Sequence, residues 1–274
     1  MDATERLDLV QLDINDAAGG LALSTEAQWN QNEADWRFFL TKGIVFGVRE
    51  ADHRLVATAA LLPYTNSDAW ISMVLVTATR RRQGLATRLV DTCLNAAAKL
   101  GVTAWLDATP AGAAVYAPLG FAPTIQLQRL RRKAESPKAS SQLAPGKLGA
   151  LLECDLRAMG FRRHDLLNEL SQRYTSRLVA NADGTALVRD GRTARHIGPL
   201  FAGKPAHALA MVQAIVASEA GPFLIDAVAT HEVLLDGLAE NGWTFERPFQ
   251  RMRFGGAPDS GDQLPFAVAG PEFG

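Results

Sequence analysis

The sequence predicts a mixed α/β fold, in which central mixed β-sheets are flanked by helices and the pattern is laid down twice along the chain. Three observations carry this. Short apolar runs bounded by polar turns alternate with helical periodicities in the first half. The run Ile71 to Val90, ISMVLVTATRRRQGLATRLV, passes from an apolar strand through a polar loop into an amphipathic helix, which is how a crossover begins. The second half repeats the end of the first, since Leu224-Ile225-Asp226-Ala227 echoes Trp105-Leu106-Asp107-Ala108, and Gly242-Trp243 stands where Gly120-Phe121 stood.

Leu7 to Leu12 reads as a strand, and a helical region comes next with Trp29 and Trp36 seven apart on one expected face, which is core spacing first and substrate platform second. Ile44 to Arg49 and Leu55 to Leu62 form a hairpin about Glu50-Ala51-Asp52-His53. Trp70 to Val76 is the next strand. The helix from Leu85 places Leu89, Val90, Cys93, Leu94 and Ala97 on one face. Thr103 to Leu106 is a strand, a helix runs through Tyr116, and Thr124 to Leu130 is a last strand. In the second half, His196 to Phe201 and the helix from Pro205 correspond to the strand and crossover helix of the first.

Between Leu130 and Leu148 the chain reads LRRKAESPKASSQLAPGKL, with two prolines, three serines and no apolar period. This predicts a first domain over 1–133, a linker over 134–148, a second domain over 149–256 and a tail over 257–274. A net charge of −1 argues against a protein built around nucleic-acid phosphates, so the expected partner is a small molecule. No run approaches the roughly 18 apolar residues of a membrane helix, and MDATERLDLVQLD has no signal-peptide pattern, which predicts a cytoplasmic protein without a membrane partner. Cys93 and Cys154 read as buried free thiols. The five histidines have no zinc spacing, so no metal is expected. A Gly-x-Ser-x-Gly elbow and a Gly-Lys-Ser/Thr phosphate loop are both missing, which removes the main supports of hydrolase and NTPase readings.

The loop Arg81-Arg82-Gln83-Gly84-Leu85-Ala86 is an anion cradle in prospect. Amides at a helix N-terminus are unpaired and carry the positive end of the macrodipole; Gly84 lets a ligand approach and Ala86 leaves it room. Arg-x-x-Gly-x-Ala after an apolar strand, joined about thirty residues later by Tyr116-Ala117-Pro118-Leu119-Gly120-Phe121, resembles the coenzyme A signature and the Tyr-x-x-x-Gly-Phe segment of the GNAT acetyltransferase superfamily. From about Leu7 to Phe254 the chain resembles tandem members with an intact first domain and a degenerate second one. The loop's counterpart, Ala202-Gly203-Lys204-Pro205-Ala206, lacks the signature, and Pro205 has no N–H to offer a pyrophosphate.

That resemblance implies acetyl-CoA as acyl donor, held by the Val74, Leu75, Val76 segment and by Arg81, Arg82, Gln83, Gly84, Leu85, Ala86 and Thr87. It further implies that Tyr116 is the general acid. Many relatives carry an asparagine seven residues before this tyrosine; this chain has Thr109 there. The general base is open among Asp107, Asp35 and Glu33, or a chain of waters. Two functions remain: an N-acyltransferase acetylating a primary amine by direct attack in a ternary complex, or a non-catalytic acetyl-CoA-binding sensor whose second domain takes a ligand or partner. The acceptor and the choice between monomer and homodimer stay open.

Overall fold

A computed structural model describes residues 7–64, 67–137, 143–255 and 264–274. The chain folds as two compact units. One comprises Met1–Leu106, Ala111–Ala122 and Arg253–Gly256; the other comprises Asp107–Pro110, Pro123–Met252 and Ala257–Gly274.

The first half contains β1 (Asp8–Gln11), α1 (Ala17–Glu26), α2 (Glu33–Lys42), β2 (Ile44–Arg49), β3 (Leu55–Pro63), β4 (Asp68–Val76), α3 (Leu85–Leu100), β5 (Thr103–Ala108), α4 (Pro110–Tyr116) and β6 (Phe121–Arg132). Strands β1 to β4 pair antiparallel in chain order, and β5 joins β4 in parallel. Residues Leu55 to Leu62 of β3 are all buried, because α1, α2 and α3 all pack against this strand. Burial on both faces is why it reads as an unbroken apolar run rather than an alternation. Helix α3 buries Leu85, Leu89, Val90, Cys93 and Ala97, at about 0.8 kcal/mol per buried methylene.

The expected single helical face bearing Trp29 and Trp36 is two helices. Gln28 takes a left-handed φ of 58° after α1 ends, and Asn32 begins α2 with a capping box: its side chain accepts the Asp35 amide and the Asp35 carboxylate accepts the Asn32 amide. Trp29 lies between the helices. Trp36 is fully buried with its Nε1 donating to Ser24 Oγ at 2.9 Å, and a Cβ on Gly20 would meet its ring at 2.4 Å.

The second half contains β7 (Ala144–Pro145), α5 (Leu148–Met159), α6 (His164–Gln172), β8 (Arg177–Asn181), β9 (Gly184–Asp190), β10 (Arg195–Ala202), α7 (Pro205–Ser218), β11 (Phe223–Val228), α8 (Glu232–Glu240) and β12 (Trp243–Phe254). In the second unit the strand order is β12-β6-β11-β10-β9-β8-β7, with β10 and β11 parallel and β6 antiparallel to β11. Its core gathers Val188, Ile197, Met211, Ile225, Leu234 and Trp243.

The compact units divide the chain differently from its composition. Residues 123–132 of β6 pair with β11 and belong to the second unit. Ala144 and Pro145, inside the stretch read as linker, pair with β8. Residues 266–274, read as tail, are buried.

Candidate functional site

Strands β4 and β5 hold together only at one end. Their registered pairs are Asp68↔Thr103, Ala69↔Ala104 and Trp70↔Trp105. The last pair is clamped by its own rings, which stack at 6.4 Å and 4°, and Trp105 Nε1 donates to Asp68 Oδ1 at 2.8 Å. Beyond Trp70 the register ends. On the β3 side, β4 carries a bulge between its Ala60↔Ser72 and Thr58↔Leu75 pairs. Met73 takes φ 52° there, and its carbonyl accepts the Thr58 hydroxyl at 2.8 Å. A bulge turns a strand locally and re-aims the residues beyond it, here Val74, Leu75 and Val76.

The chain then enters the loop. Thr77 and Ala78 are gripped by Glu26 at the end of α1: the Thr77 hydroxyl donates to both carboxylate oxygens, at 3.0 and 2.8 Å, and the Ala78 amide donates at 2.7 Å. The Ala78 amide, then the Thr77 hydroxyl, hold the Glu26 carboxyl below its ordinary range. Arg80 pairs with Glu50, and Arg81 Nε donates to the Val76 carbonyl at 3.2 Å. Arg82 is left-handed at φ 61°, and Gly84, the N-cap of α3, at φ 76°. The first amide of α3 with a backbone acceptor is that of Arg88, which donates to the Gly84 carbonyl at 3.0 Å. Among the described residues, the amides from Gln83 to Thr87 find none. A Cβ on Gly84 would meet nothing within 4 Å, so the loop opens on free space. Arg81, Arg82, Gln83, Gly84 and Thr87 are exposed, whereas Leu85 anchors the helix in the core. A row of amides without backbone acceptors at the positive end of a sixteen-residue helix has the chemistry to receive phosphate oxygens.

Tyr116 ends α4. Its ring is buried against Phe121 at 6.2 Å, and Phe121 in turn meets Phe254 at 5.5 Å. Burial, with Cys93 of α3 as a lesser contributor, pushes its phenol above the ordinary tyrosine range, so it keeps its proton at neutral pH. The Cys93 thiol is itself pushed up to about 12 by burial, which makes it an inert packing group. Cys154 is only half-buried and accepts from Arg157 at 3.3 Å.

The three carboxylates offered as bases from sequence are engaged elsewhere. Asp107 accepts Arg251 Nε and one terminal nitrogen, both at 2.9 Å, inside the second unit. Burial pushes its carboxyl up, opposed by Arg251. Asp35 is fully buried in the α2 capping box. Glu33, the third, is exposed and paired with Arg37.

The equivalent loop of the second unit presents fewer open amides. The Gly203 amide donates to the Asp183 carbonyl at 3.0 Å, Pro205 has no amide hydrogen, and the His207 and Ala208 amides both donate to the Lys204 carbonyl. Leu238 occupies the position, four before Gly242, that Tyr116 holds before Gly120. This unit does carry a cleft of about 690 Å³, walled by Cys154, Arg157, Thr185, Phe201, His231 and Phe266. Among the described residues, no group of three or more His, Cys, Asp or Glu is placed to hold a metal, and no helix is long and apolar enough to cross a membrane.

Sequence reasoning did not find Glu26 or Thr77. They lie 51 residues apart, and neither stands in a recognisable pattern.

Residues 12–121 match a model described as acetyltransferase (GNAT) family, and residues 151–264 match one described as acetyltransferase (GNAT) domain. Comparison with curated proteins finds no match. Among solved structures, the chain is similar to a candidate acetyltransferase of Pyrococcus horikoshii, at 18% identity and a TM-score of 0.80 over 98% of this chain and 96% of that one. It is also similar to a GCN5-related N-acetyltransferase of Sphaerobacter thermophilus, at 15% identity and 0.63 over 90% and 95%. A tandem GNAT protein from the clavulanic acid biosynthesis pathway matches at 16% identity and 0.62 over 93% and 100%. At these identities the likeness is one of fold. With a GNAT model matched in each half, the chain belongs to the GNAT acetyltransferase superfamily as a tandem protein.

Proposed function

We propose that the first unit is an acyl-CoA-dependent N-acyltransferase that moves an acetyl group from acetyl-CoA to a primary amine of a small molecule. The observation that carries this reading is the run of amides from Gln83 to Thr87 without backbone acceptors, set at the mouth of a strand pair whose register has ended. The pyrophosphate is received by those amides, with Arg81, Arg82 and Gln83 beside it. The acyl-bearing arm lies along Val74 to Val76, where a main-chain amide polarises the thioester carbonyl.

The neutral amine nitrogen attacks the thioester carbon, a C–N bond forms as the C–S bond breaks, the departing thiolate takes the Tyr116 proton, and the proton shed by the new amide nitrogen passes through water to restore the phenol. Because Asp107 and Asp35 are held by Arg251 and by the α2 cap, the substrate ammonium first gives one proton to water and so becomes the attacking amine. No metal enters this scheme. Coenzyme A release from acetyl-CoA, measured over a panel of primary amines, tests the proposal. Release with at least one amine class supports it, whereas tight binding without release from any amine leaves a coenzyme-binding sensor.

A further inference from the structure

In the second unit, β10 and β11 repeat the geometry of β4 and β5. They too pair in parallel over three residues, Arg195↔Phe223, His196↔Leu224 and Ile197↔Ile225, and then lose register. A bulge between Ile197 and Leu200 stands where β4 has its own at Met73. Here, however, the space between the diverging strands contains protein. Ala267 bridges to Leu200 of β10 and to Ala227 of β11. Phe266 donates its amide to the Leu200 carbonyl at 2.9 Å, and Leu200 donates to the Ala267 carbonyl at 2.9 Å. On the other side, Val228 donates to the Phe266 carbonyl at 3.1 Å and Val268 to the Asp226 carbonyl at 3.0 Å.

We infer that residues 266–268 are a built-in substitute for the coenzyme arm, closing the second unit to acyl-CoA and limiting the chain to one coenzyme. Main-chain donors and acceptors exposed where two parallel strands part must be satisfied, by a ligand, by water or by more chain. In this unit the chain supplies the partners, with bonds to both strands. The segment is also locked from beyond. Glu272 pairs with Arg189 at 2.9 Å, Arg189 donates to the Ala269 carbonyl at 2.9 Å, and Arg163 donates to the Phe273 carbonyl at 2.8 Å. Arg189 and Arg163 are almost wholly buried, so withdrawal of the segment would strip partners from two buried guanidinium groups. That makes it a permanent filling rather than a gate. The adjacent loop agrees in part, since among the amides of residues 203–207 those of Gly203 and His207 are occupied and Pro205 has none.

The inference takes from the proposed function only the reading of the β4–β5 gap as the coenzyme channel. Hydrogen–deuterium exchange on the full chain, with and without saturating coenzyme A, separates the two. The amides of Leu200, Val228, Phe266 and Val268 should exchange at least about 100-fold more slowly than those of residues 83–87 in the free protein, and coenzyme A should leave them unchanged. The amides of 83–87 should slow at least tenfold when coenzyme binds. Fast exchange at Phe266 and Val268, or their deprotection as a second equivalent of coenzyme A binds, overturns the inference. Slow exchange there with no response at 83–87 upholds it and counts against the proposed function instead.

Discussion

Asp226 on β11 accepts two hydrogen bonds from Arg129 on β6, at 2.7 and 2.8 Å, across 97 positions of sequence. Asp107 on β5 and Arg251 on β12 repeat the arrangement at 2.9 Å. Arg129 stands nine residues after Gly120 and Arg251 nine after Gly242, so the two arginines are equivalent in the duplication. Each binds the aspartate of the other copy. The duplication thus reaches down to a buried ion pair used twice, and both pairs lie in the second compact unit.

Breaking one of these pairs should be costly. Asp226 is fully buried and also meets His196 Nε2 at 2.9 Å. Asp226→Asn should lower unfolding free energy by about 3–5 kcal/mol, since it leaves Arg129 charged and uncompensated. The measurement is urea denaturation, with coenzyme affinity of the folded protein expected to stay unchanged.

The same cluster sets an acid limit. Burial, partly offset by Asp226, holds the His196 ring below its ordinary value of 6.5, so the folded protein keeps the ring neutral while the unfolded chain protonates. Burial would raise the Asp226 carboxyl, yet Arg129 and His196 outweigh it and hold it below the usual carboxylate range. In both cases the unfolded chain binds more protons in acid, so stability falls as pH drops, first below about 6.5 and again below about 4. The first step should flatten in His196→Gln; an unchanged slope between about pH 7 and pH 5 would show that the ring is charged in the folded state.

Gly84→Glu should lower coenzyme affinity by about 100-fold or more, because it sets a carboxylate against the phosphates where like charges cost several kcal/mol. The fold should survive, since a Cβ there meets nothing, although the left-handed φ adds about 1–2 kcal/mol of strain. Calorimetry and circular dichroism check the two halves of this statement.

Tyr116→Phe should slow coenzyme A release by roughly 10²–10⁴-fold while leaving acetyl-CoA affinity in place. It should also remove an alkaline instability. The folded phenol titrates above its ordinary value of 10.0, so above that pH the unfolded chain ionises first and stability falls.

Substitutions at Gly203 or Lys204 should leave coenzyme affinity alone, since residues 266–268 fill the gap beside their loop, the Gly203 and His207 amides are taken and Pro205 has none. A large loss in calorimetry would place coenzyme in the second unit.

What could be read from the sequence is what local pattern encodes. The strand, loop and helix from Ile71 to Val90, the Tyr116 to Phe121 segment and the echo at Leu224 to Ala227 each rest on neighbours in sequence, and the elements expected there form. The bulge at Met73 is invisible because an apolar strand reads the same with or without it. Glu26 depends on a partner half a domain away. Asp35 stands in an Asn-x-x-Asp cap that also suits an exposed carboxylate. Phe266-Ala267-Val268-Ala269 is a short apolar run after a proline, and nothing local says that it fills a gap between strands.

Calorimetric titration of acetyl-CoA into the full chain, with coenzyme A and ATP as comparison ligands, tests the central claim most directly. One site per chain, selective for the coenzyme over ATP, is the predicted result. No binding, or equal binding of ATP, would contradict the assignment of the Gln83 to Thr87 amides as a coenzyme receptor.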